Sequence, residues 1–451
     1  MFDRAVRQVF AKGGYSPDML DDPAVRSLIE ETYNTLNGAI DTAIKTETPP
    51  ELTAALQNNA FIFSGFKTHH CLSEIGLSLT DAEGHVKPFE TFRKDVEAID
   101  ARYNTNYLYA EYNHALHTSQ MAVKWHEILA DGDAYNLQYQ TACDERVREA
   151  HAALDGVTLP PSDPFWNDYL PPNGWNCRCD VVQVLREDFP LSDPEQAKAA
   201  GDACTEEPKA RIFRYNAGKD LSLFPRKHPY LPKGCGDCGR SLSLAYDPKR
   251  EQCRVCMAVN EQARRAEAQR FYDRLSRDEK YRGVKFDPQT GGLSAMHVGH
   301  NTKSNNAQTV AWGMTGADLE NELQRLLFQN GHIAILCDES KRKGKQTLPA
   351  LDMQLDGVMM DIRSITKKKR HYGSALRDKN KQLARYNGRS DVHVPADTVC
   401  LYFHEGGMYH PSKVTGGIKW LKKQTSHINI REVVCVIRKE DDSIEIRRHK
   451  V

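Results

Sequence analysis

Two pairs of cysteines in the 451-residue chain have the spacing of metal ligands. Cys235 and Cys238 form one CxxC pair, and Cys253 and Cys256 form a second pair after a short polar stretch. Four thiolates at this spacing can close tetrahedrally around one zinc ion, so we predict a structural zinc ribbon over residues 231–258. A redox CxxC motif and a pair of disulfides are the alternatives.

The start and the hydropathy of the chain bear on the disulfide alternative. The chain does not begin with a charged segment followed by an apolar one, as a signal peptide would, and no apolar run is long enough to span a bilayer. We therefore expect a reducing cytoplasm, in which paired cysteines bind metal rather than each other. We expect the zinc ribbon to stabilise the fold rather than to contact nucleic acid, because few basic or aromatic residues surround these cysteines.

His151, Cys177 and Cys179 indicate a second metal site. Imidazole and thiolate are ligands that suit zinc, and a Cys-x-Cys turn can present both sulfurs to one side. Alternatively, His151 hydrogen-bonds the turn backbone while the two cysteines pack as small apolar groups. In either case these residues would pin the turn to the preceding helix, which is a structural role.

Carboxylates that could hold a divalent cation lie in the second half of the chain. Asp356 precedes Gly357 in a predicted turn between strands, and Asp361 and Arg363 follow on the next strand. Two carboxylates at neighbouring strand ends can hold Mg²⁺, which activates water or stabilises a phosphorane-like transition state. We expect Asp356 and Asp361 to converge beside Arg363 in an open cleft. The simpler interpretation of Asp356 is a plain turn residue.

Basic residues are concentrated beside these acids. Over the whole chain, Lys plus Arg (61) equals Asp plus Glu (61), so net charge predicts no partner. Between 363 and 389, however, ten basic residues accompany a single acid, Asp378. This local excess favours phosphate contact, and thus an RNA or DNA partner, over a solvated loop. The predicted nucleic-acid-binding residues are Lys367, Lys368, Lys369, Arg370, Arg377 and Lys381.

The elements that must position these residues differ between the two halves of the chain. In the first half, apolar residues at spacings of three and four predict helices, and prolines before Cys177 predict a turn that leads into a strand. Residues 191–230 indicate an extended linker, and residues 259–282 indicate a charged helical linker.

From Gly283 onward the pattern is typical of an α/β or α+β domain. Thr315 and Asp318 form a capping-box pair that begins a helix. Basic helices are predicted at about 374–386 and 417–424. The predicted strands cover 333–337, 358–362, 399–403, 433–437 and 444–446.

The middle of the chain resembles the phage Mu protein F family of minor head proteins. The resemblance rests on Arg148-x-x-His151-x-x-Leu-x-Gly, then Phe165-Trp166, then a proline-rich turn into Asn-Cys-Arg-Cys179, and covers about residues 50–190. It implies a component of tailed-phage heads or prophages that acts in head morphogenesis beside the portal. It also implies portal and capsid proteins as partners, a virion or bacterial cytoplasm as location, and no enzymatic role for this module.

The C-terminal order of elements resembles nuclease toxins at the C-termini of contact-dependent inhibition proteins, which cut transfer RNA. The shared order is an acidic helix, a strand, an Asp-Gly turn, Asp361-x-Arg363, a basic helix, a strand and a hairpin. This resemblance adds Lys379 and Gln382 to the candidate catalytic residues Asp356, Asp361 and Arg363, with Mg²⁺ as the cofactor. It also allows a neutralising immunity protein as a partner.

Arg363 departs from the toxin pattern, because it stands where those proteins carry the lysine of Glu-x-Lys. Arginine keeps a positive charge near a scissile phosphate but does not easily give up a proton. It would therefore stabilise the negative charge of the phosphate rather than act as a base. Lys367 could replace the lysine, or the domain could work without metal through His371 and Tyr372. It could also be inactive.

The sequence therefore predicts a multidomain phage minor head protein with a ribonuclease-like C-terminal domain. The alternative is a purely structural capsid component, whose basic C-terminal domain binds nucleic acid without cleaving it. The predicted parts are a mostly α head-morphogenesis module (1–190), a linker (191–230), a zinc ribbon (231–258), a charged helical linker (259–282) and an α/β (α+β) nuclease-like domain (283–451).

Overall fold

The structure of the protein is a computed structural model. It describes residues 2–45, 47–225, 227–231, 254–300, 309–340, 342–343, 346–389, 392 and 395–451. In the predicted zinc ribbon, Cys235, Cys238 and Cys253 lie outside the described residues, whereas Cys256 is buried in a helix. The ribbon therefore stays a prediction. The described residues form two compact units that divide between Ala263 and Arg264.

Helices build most of the first unit, as predicted. Its first helices are α1 (Phe2–Ala11), α2 (Pro23–Ala43), α3 (Pro50–Leu77), α4 (Phe89–Ala101) and α5 (Leu108–Asp131). The side chain of Asp22 caps α2, because it accepts a hydrogen bond from the backbone N–H of Ala24 at 2.9 Å. α2 packs against both α3 and α5. Many of the apolar residues of these helices are thereby buried.

A small antiparallel sheet follows α5. It consists of β1 (Tyr135–Gln140), β2 (Thr158–Leu159) and β3 (Asp180–Leu185), with β1 in the middle. The short helices α6 (Glu149–Ala152) and α7 (Phe165–Asp168) lie between its strands in sequence. Trp166 is fully buried in the apolar core of this region, which also contains Tyr139, Cys177 and Cys179. The segment before β3 is thus held by the same core as the sheet.

The segment expected to be an extended linker, 191–230, is largely folded in the structure. It contains α8 (Pro194–Cys204), α9 (Pro208–Arg211) and α10 (Ala217–Asp220). Asp193 caps α8 by accepting hydrogen bonds from the backbone N–H groups of Glu195 and Gln196, both at 2.9 Å. Ala197 and Cys204 of α8 join the core around Trp166. α11 (Arg254–Leu275) is the next described helix.

A mixed sheet forms the centre of the second unit. Its strands are β4 (Tyr281–Asp287), β5 (Gly292–His297), β8 (Ile333–Leu336), β11 (Met353–Leu355), β12 (Val358–Ser364), β13 (Thr398–Phe403), β14 (Glu432–Arg438) and β15 (Ile444–Lys450). The short strands β6 (Thr309–Ala311) and β7 (Met314–Thr315) form a separate pair, as do β9 (Arg342–Lys343) and β10 (Gln346–Thr347). In the large sheet the order is β15-β14-β13-β12-β11-β8-β5-β4.

Helices cover both faces of this sheet. α12 (Gly316–Gln329) packs on one face, and α13 (Gly373–Asn387) and α14 (Pro411–Gln424) pack on the other. The predicted capping box is confirmed, since the Thr315 side chain accepts from the backbone of Asp318 and the Asp318 carboxylate accepts in return. β12, β13 and β14 run parallel. A mixed α/β arrangement in this half is thus what the sequence predicted.

Candidate functional site

Three side chains with the chemistry of metal ligands meet in the first unit. His151 lies on α6, and Cys177 and Cys179 lie on the segment that leads into β3. Their ligand atoms all lie within 4.8 Å of one another, and all three residues are buried. The Nδ1 atom of His151 is 3.6 Å from the sulfur of Cys177 and 3.5 Å from the sulfur of Cys179. We call these residues the histidine–cysteine cluster.

Arg148 links the two sides of this cluster. Its Nη2 donates a hydrogen bond to the backbone carbonyl of Trp175 at 2.6 Å, and its Nη1 lies 3.4 Å from Nε2 of His151. The arginine thereby joins the residues of α6 to the turn before Cys177. The sequence left open whether His151 hydrogen-bonds the turn backbone or forms a site with the cysteines. Because Nδ1 faces both sulfurs, the geometry favours the site.

Proximity shifts the pKa values within the histidine–cysteine cluster. A hydrogen bond from Cys179 lowers the pKa of Cys177 well below its ordinary value, and the same contact raises the pKa of Cys179. Burial lowers the pKa of His151, but hydrogen bonds with Cys177 and Cys204 outweigh burial and raise it to about 9. The cluster thus favours a thiolate beside a protonated imidazole. A metal ion bound here would displace these protons.

Two carboxylates and a lysine meet in the second unit. Asp352 precedes β11, Asp361 lies in the middle of β12, and Lys379 lies on α13. The Nζ atom of Lys379 is 3.0 Å from Oδ1 of Asp361 and 3.6 Å from Oδ2 of Asp352. The Asp361 side chain is fully buried, and the other two are at most 14% exposed. We call these residues the acid–lysine cluster.

Burial governs the charges in the acid–lysine cluster. Burial, and next the neighbouring Asp352, raise the pKa of Asp361 to about 9. Burial lowers the pKa of Lys379, but the two carboxylates outweigh burial and raise it. The buried Asp361 carboxyl therefore resists ionisation. A divalent cation would favour the ionised form of both acids.

Two of the predicted catalytic residues lie next to this cluster. Gln382 accepts a hydrogen bond from Nζ of Lys379 at 3.3 Å, and its own amide donates to the backbone carbonyl of Ala350 at 3.5 Å. Arg363 follows Asp361 by two residues on β12, so its side chain leaves the same face of the strand, and it is exposed. Gln382 can orient the lysine, and Arg363 can attract an anion to this face.

Asp356 lies apart from the acid–lysine cluster. It occupies the turn between β11 and β12 and accepts a hydrogen bond from the backbone N–H of Ile333 at 2.8 Å, while Nδ1 of His332 is 2.8 Å from its other carboxylate oxygen. Asp361 lies three residues beyond Val358, the first residue of β12, which is about 10 Å along the strand at 3.3 Å per residue. We expected Asp356 and Asp361 to converge in an open cleft, but the structure places Asp352 beside Asp361, and both predicted acids are buried. Asp356 has the partners of a turn residue.

The predicted nucleic-acid-binding residues are exposed. They lie between β12 and α13 or on the outer face of α13, and they comprise Lys367, Lys368, Lys369, Arg370, Arg377 and Lys381. On the helix, Arg377 and Lys381 are one turn apart, and the guanidinium of Arg377 lies 5.8 Å from the ring centre of Trp420. These side chains are accessible to a polyanion, and their role in binding one stays a prediction.

Comparison with known proteins concerns the first unit. Residues 79–182 match the family model described as Phage Mu protein F like protein. This segment contains β1, β2, the first three residues of β3 and the whole histidine–cysteine cluster. The resemblance noted in the sequence is therefore confirmed for this part of the chain. We call residues 79–182 the Mu F-like segment.

Two curated relatives are similar over parts of the chain. The putative capsid assembly protein F of Escherichia phage Mu is 31% identical over 145 residues, which are 30% of this chain and 30% of that protein. The Mu-like prophage FluMu F protein of Haemophilus influenzae is 43% identical over 44 residues, or 10% of this chain and 11% of that protein. The chain thus spans less than a third of the length of either relative. No solved structure matches the chain.

The likeness of the second unit to nuclease toxins is not tested by these comparisons, since the family match ends at residue 182. None of the described helices is long and apolar enough to cross a membrane.

Sequence reasoning missed Asp352 and His300. The carboxylate of Asp352 accepts a hydrogen bond from the backbone N–H of Ile362 at 2.7 Å, which fixes it across the β11–β12 pair. His300 is buried, and its Nε2 lies 3.6 Å from Glu320, whose pKa is raised by burial and in smaller part by Asp352. Asp352 could have been found from its position immediately before a short strand. The spacing of His300 from His297 did not by itself indicate a site.

Proposed function

We propose that this protein is a component of a tailed-phage or prophage head and takes part in head assembly beside the portal. The observation that carries the proposal is the match of residues 79–182 to the Phage Mu protein F-like family. The printed name of the similar phage Mu protein, a putative capsid assembly protein, supports the same process. Portal and capsid proteins are the expected partners, and a virion or the bacterial cytoplasm is the expected location.

Association with heads is the direct test of this proposal. In a culture that produces the phage or induced prophage, a tagged copy of the chain should co-purify with heads on a density gradient. Quantitative mass spectrometry of the head fraction should give a constant ratio of the chain to the portal protein. The physical reason is that an assembly component is retained by contacts within the particle, whereas a bystander is diluted away.

The control is the same tagged chain expressed without the other head genes, which should stay at the top of the gradient. An exchange of the matched segment is a further test. A chain in which residues 79–182 are replaced by the corresponding segment of the phage Mu protein should still enter heads. If the wild-type chain stays in the light fractions while portal and capsid proteins sediment together, the head-assembly proposal is wrong.

We propose as a second function that the C-terminal unit cleaves RNA, with transfer RNA as the expected substrate. The observation that favours it is the acid–lysine cluster, in which the buried carboxylate of Asp361 and the largely buried carboxylate of Asp352 lie within 3.6 Å of one ammonium group. Carboxylate oxygens suit Mg²⁺, which would supply charge stabilisation at a scissile phosphate. Lys379 would contact a phosphate oxygen, with Gln382 holding the ammonium in place. The exposed basic residues of 367–381 would bind the RNA backbone.

Asparagine in place of Asp361 or Asp352 should reduce cleavage at least about a hundredfold, because each change removes one carboxylate charge from the proposed cation site. The measurement incubates the full chain with total RNA and with plasmid, with and without Mg²⁺. The matched control is Asp378→Asn on α13, since that acid is exposed and pairs with Arg377 at 3.3 Å. This control should cleave as the wild type does.

The same assay separates cleavage from binding. If the wild-type chain shifts RNA or DNA on a gel but cleaves neither, the structural alternative is supported and the nuclease proposal fails. If the two asparagine variants cleave at the wild-type rate, the nuclease activity does not use the acid–lysine cluster. A neutralising immunity protein would be sought only after cleavage is observed.

A further inference from the structure

A third cysteine lies against the histidine–cysteine cluster. Cys204 is the last residue of α8 and is 7% exposed, in the same apolar core as Cys177 and Cys179. α8 also packs against α6, the helix that carries the histidine. A segment that the sequence indicated to be a linker thus delivers a thiol to the site.

We propose that His151, Cys177, Cys179 and Cys204 together bind one structural zinc ion, with Cys204 as the fourth ligand. This proposal does not depend on head assembly or on nuclease activity. It also differs from the predicted zinc ribbon, because none of the four ligands belongs to the two CxxC pairs.

The spacing of the donor atoms agrees with a tetrahedral zinc site. With Zn–S near 2.3 Å and Zn–N near 2.05 Å, a tetrahedron has an S···N edge of about 3.6 Å. The two measured Nδ1–Sγ distances are 3.6 and 3.5 Å. Cys204 does not belong to the group whose ligand atoms all lie within 4.8 Å of one another, so binding would draw its sulfur inward.

Charge and burial favour a closed structural site over a catalytic one. Three thiolates and a neutral imidazole around Zn²⁺ leave a net charge of about −1, and Arg148 beside His151 supplies a compensating positive charge. Four protein ligands leave no open position for water or substrate. A sulfur-rich tetrahedral set selects zinc over Mg²⁺ or Ca²⁺. The ion would join α6, the turn before β3 and the end of α8.

The test measures zinc in the full chain after the ribbon has been removed by Cys235→Ser and Cys238→Ser. Native mass spectrometry of this ribbon-free protein should show about one zinc ion per chain. Adding Cys204→Ser should weaken zinc binding at least about tenfold in a competition with a chelator. Cys143→Ser is the matched control, because Cys143 lies in the same unit but is exposed, and it should leave affinity unchanged.

A second measurement needs no substitution at the site. X-ray absorption at the zinc edge of the ribbon-free protein should give three sulfurs and one nitrogen. Two sulfurs together with unchanged affinity in Cys204→Ser would overturn the assignment of Cys204. The absence of bound zinc in the ribbon-free protein would overturn the whole site. Because this readout uses no head or nuclease assay, its failure is distinguishable from failure of either proposed function.

Discussion

Replacing Lys67 by methionine should lower the free energy of unfolding of the first unit by about 3–5 kcal/mol. Lys67 on α3 forms an ion pair with Glu111 on α5, and the two side chains are 2% and 4% exposed. The hydroxyl of Tyr230 donates to the same carboxylate at 3.1 Å. Burial lowers the pKa of Lys67 and raises that of Glu111, so each charge is stable chiefly because of the other. Removing the lysine leaves a buried carboxylate without its cation.

The measurement is urea unfolding of the full chain, followed by the fluorescence of tryptophans such as Trp125 and Trp166 in the first unit. The matched control is Lys45→Met, which breaks an ion pair with Glu127 at 2.7 Å between side chains that are 59% and 47% exposed. An exposed pair contributes at most about 1 kcal/mol. Equal losses in the two variants would show that burial does not set the strength of the Lys67 pair.

Local patterns along the sequence predicted most of the second unit. Thr315 and Asp318 identified the start of α12, because a cap depends on residues only three positions apart. The predicted ranges of β12, β13 and β14 agree with the observed strands to within about two residues at each end. Such features depend on neighbours in the chain, so no knowledge of the tertiary fold was needed.

The candidate sites could be predicted only in part, because tertiary contacts assemble them. Asp352 and Lys379 are 27 positions apart, and only the pairing of β11 with β12 and the packing of α13 bring them together. The Asp-Gly pair indicated Asp356 as a site residue, yet the carboxylate of Asp356 accepts a hydrogen bond from the backbone N–H of Ile333. Cys204 was not predicted as a ligand, because the polar composition of 191–230 indicated a linker. Asp193 followed by Pro194 is nevertheless a sequence signal for the start of a helix.

Lowering the pH from 8 to 5 should remove about 4 kcal/mol that two buried histidines, His114 and His228, contribute to the stability of the first unit. Burial lowers the pKa of each to about 3, and they are 2% and 6% exposed. In the unfolded chain a histidine has a pKa near 6.5, so below that pH the unfolded state binds the protons. The stability is therefore complete above about pH 6.5 and is lost as the pH falls toward 3. Each histidine contributes about 2 kcal/mol between pH 8 and 5.

The groups around these histidines oppose protonation rather than accommodate it. His114 contacts the hydroxyls of Tyr215 and Thr118 at 3.1 and 3.2 Å, and neither hydroxyl carries a negative charge. His228 accepts a hydrogen bond from the backbone N–H of Tyr230. The positive charge of nearby Lys67 disfavours a positive charge on the His228 ring. Urea unfolding at pH 8, 6 and 5 measures the change in stability. His114→Gln should remove about 2 kcal/mol of the loss between pH 8 and 5, and exposed His85→Gln should leave the loss unchanged. An equal loss in both variants would mean that acid destabilisation arises outside this core.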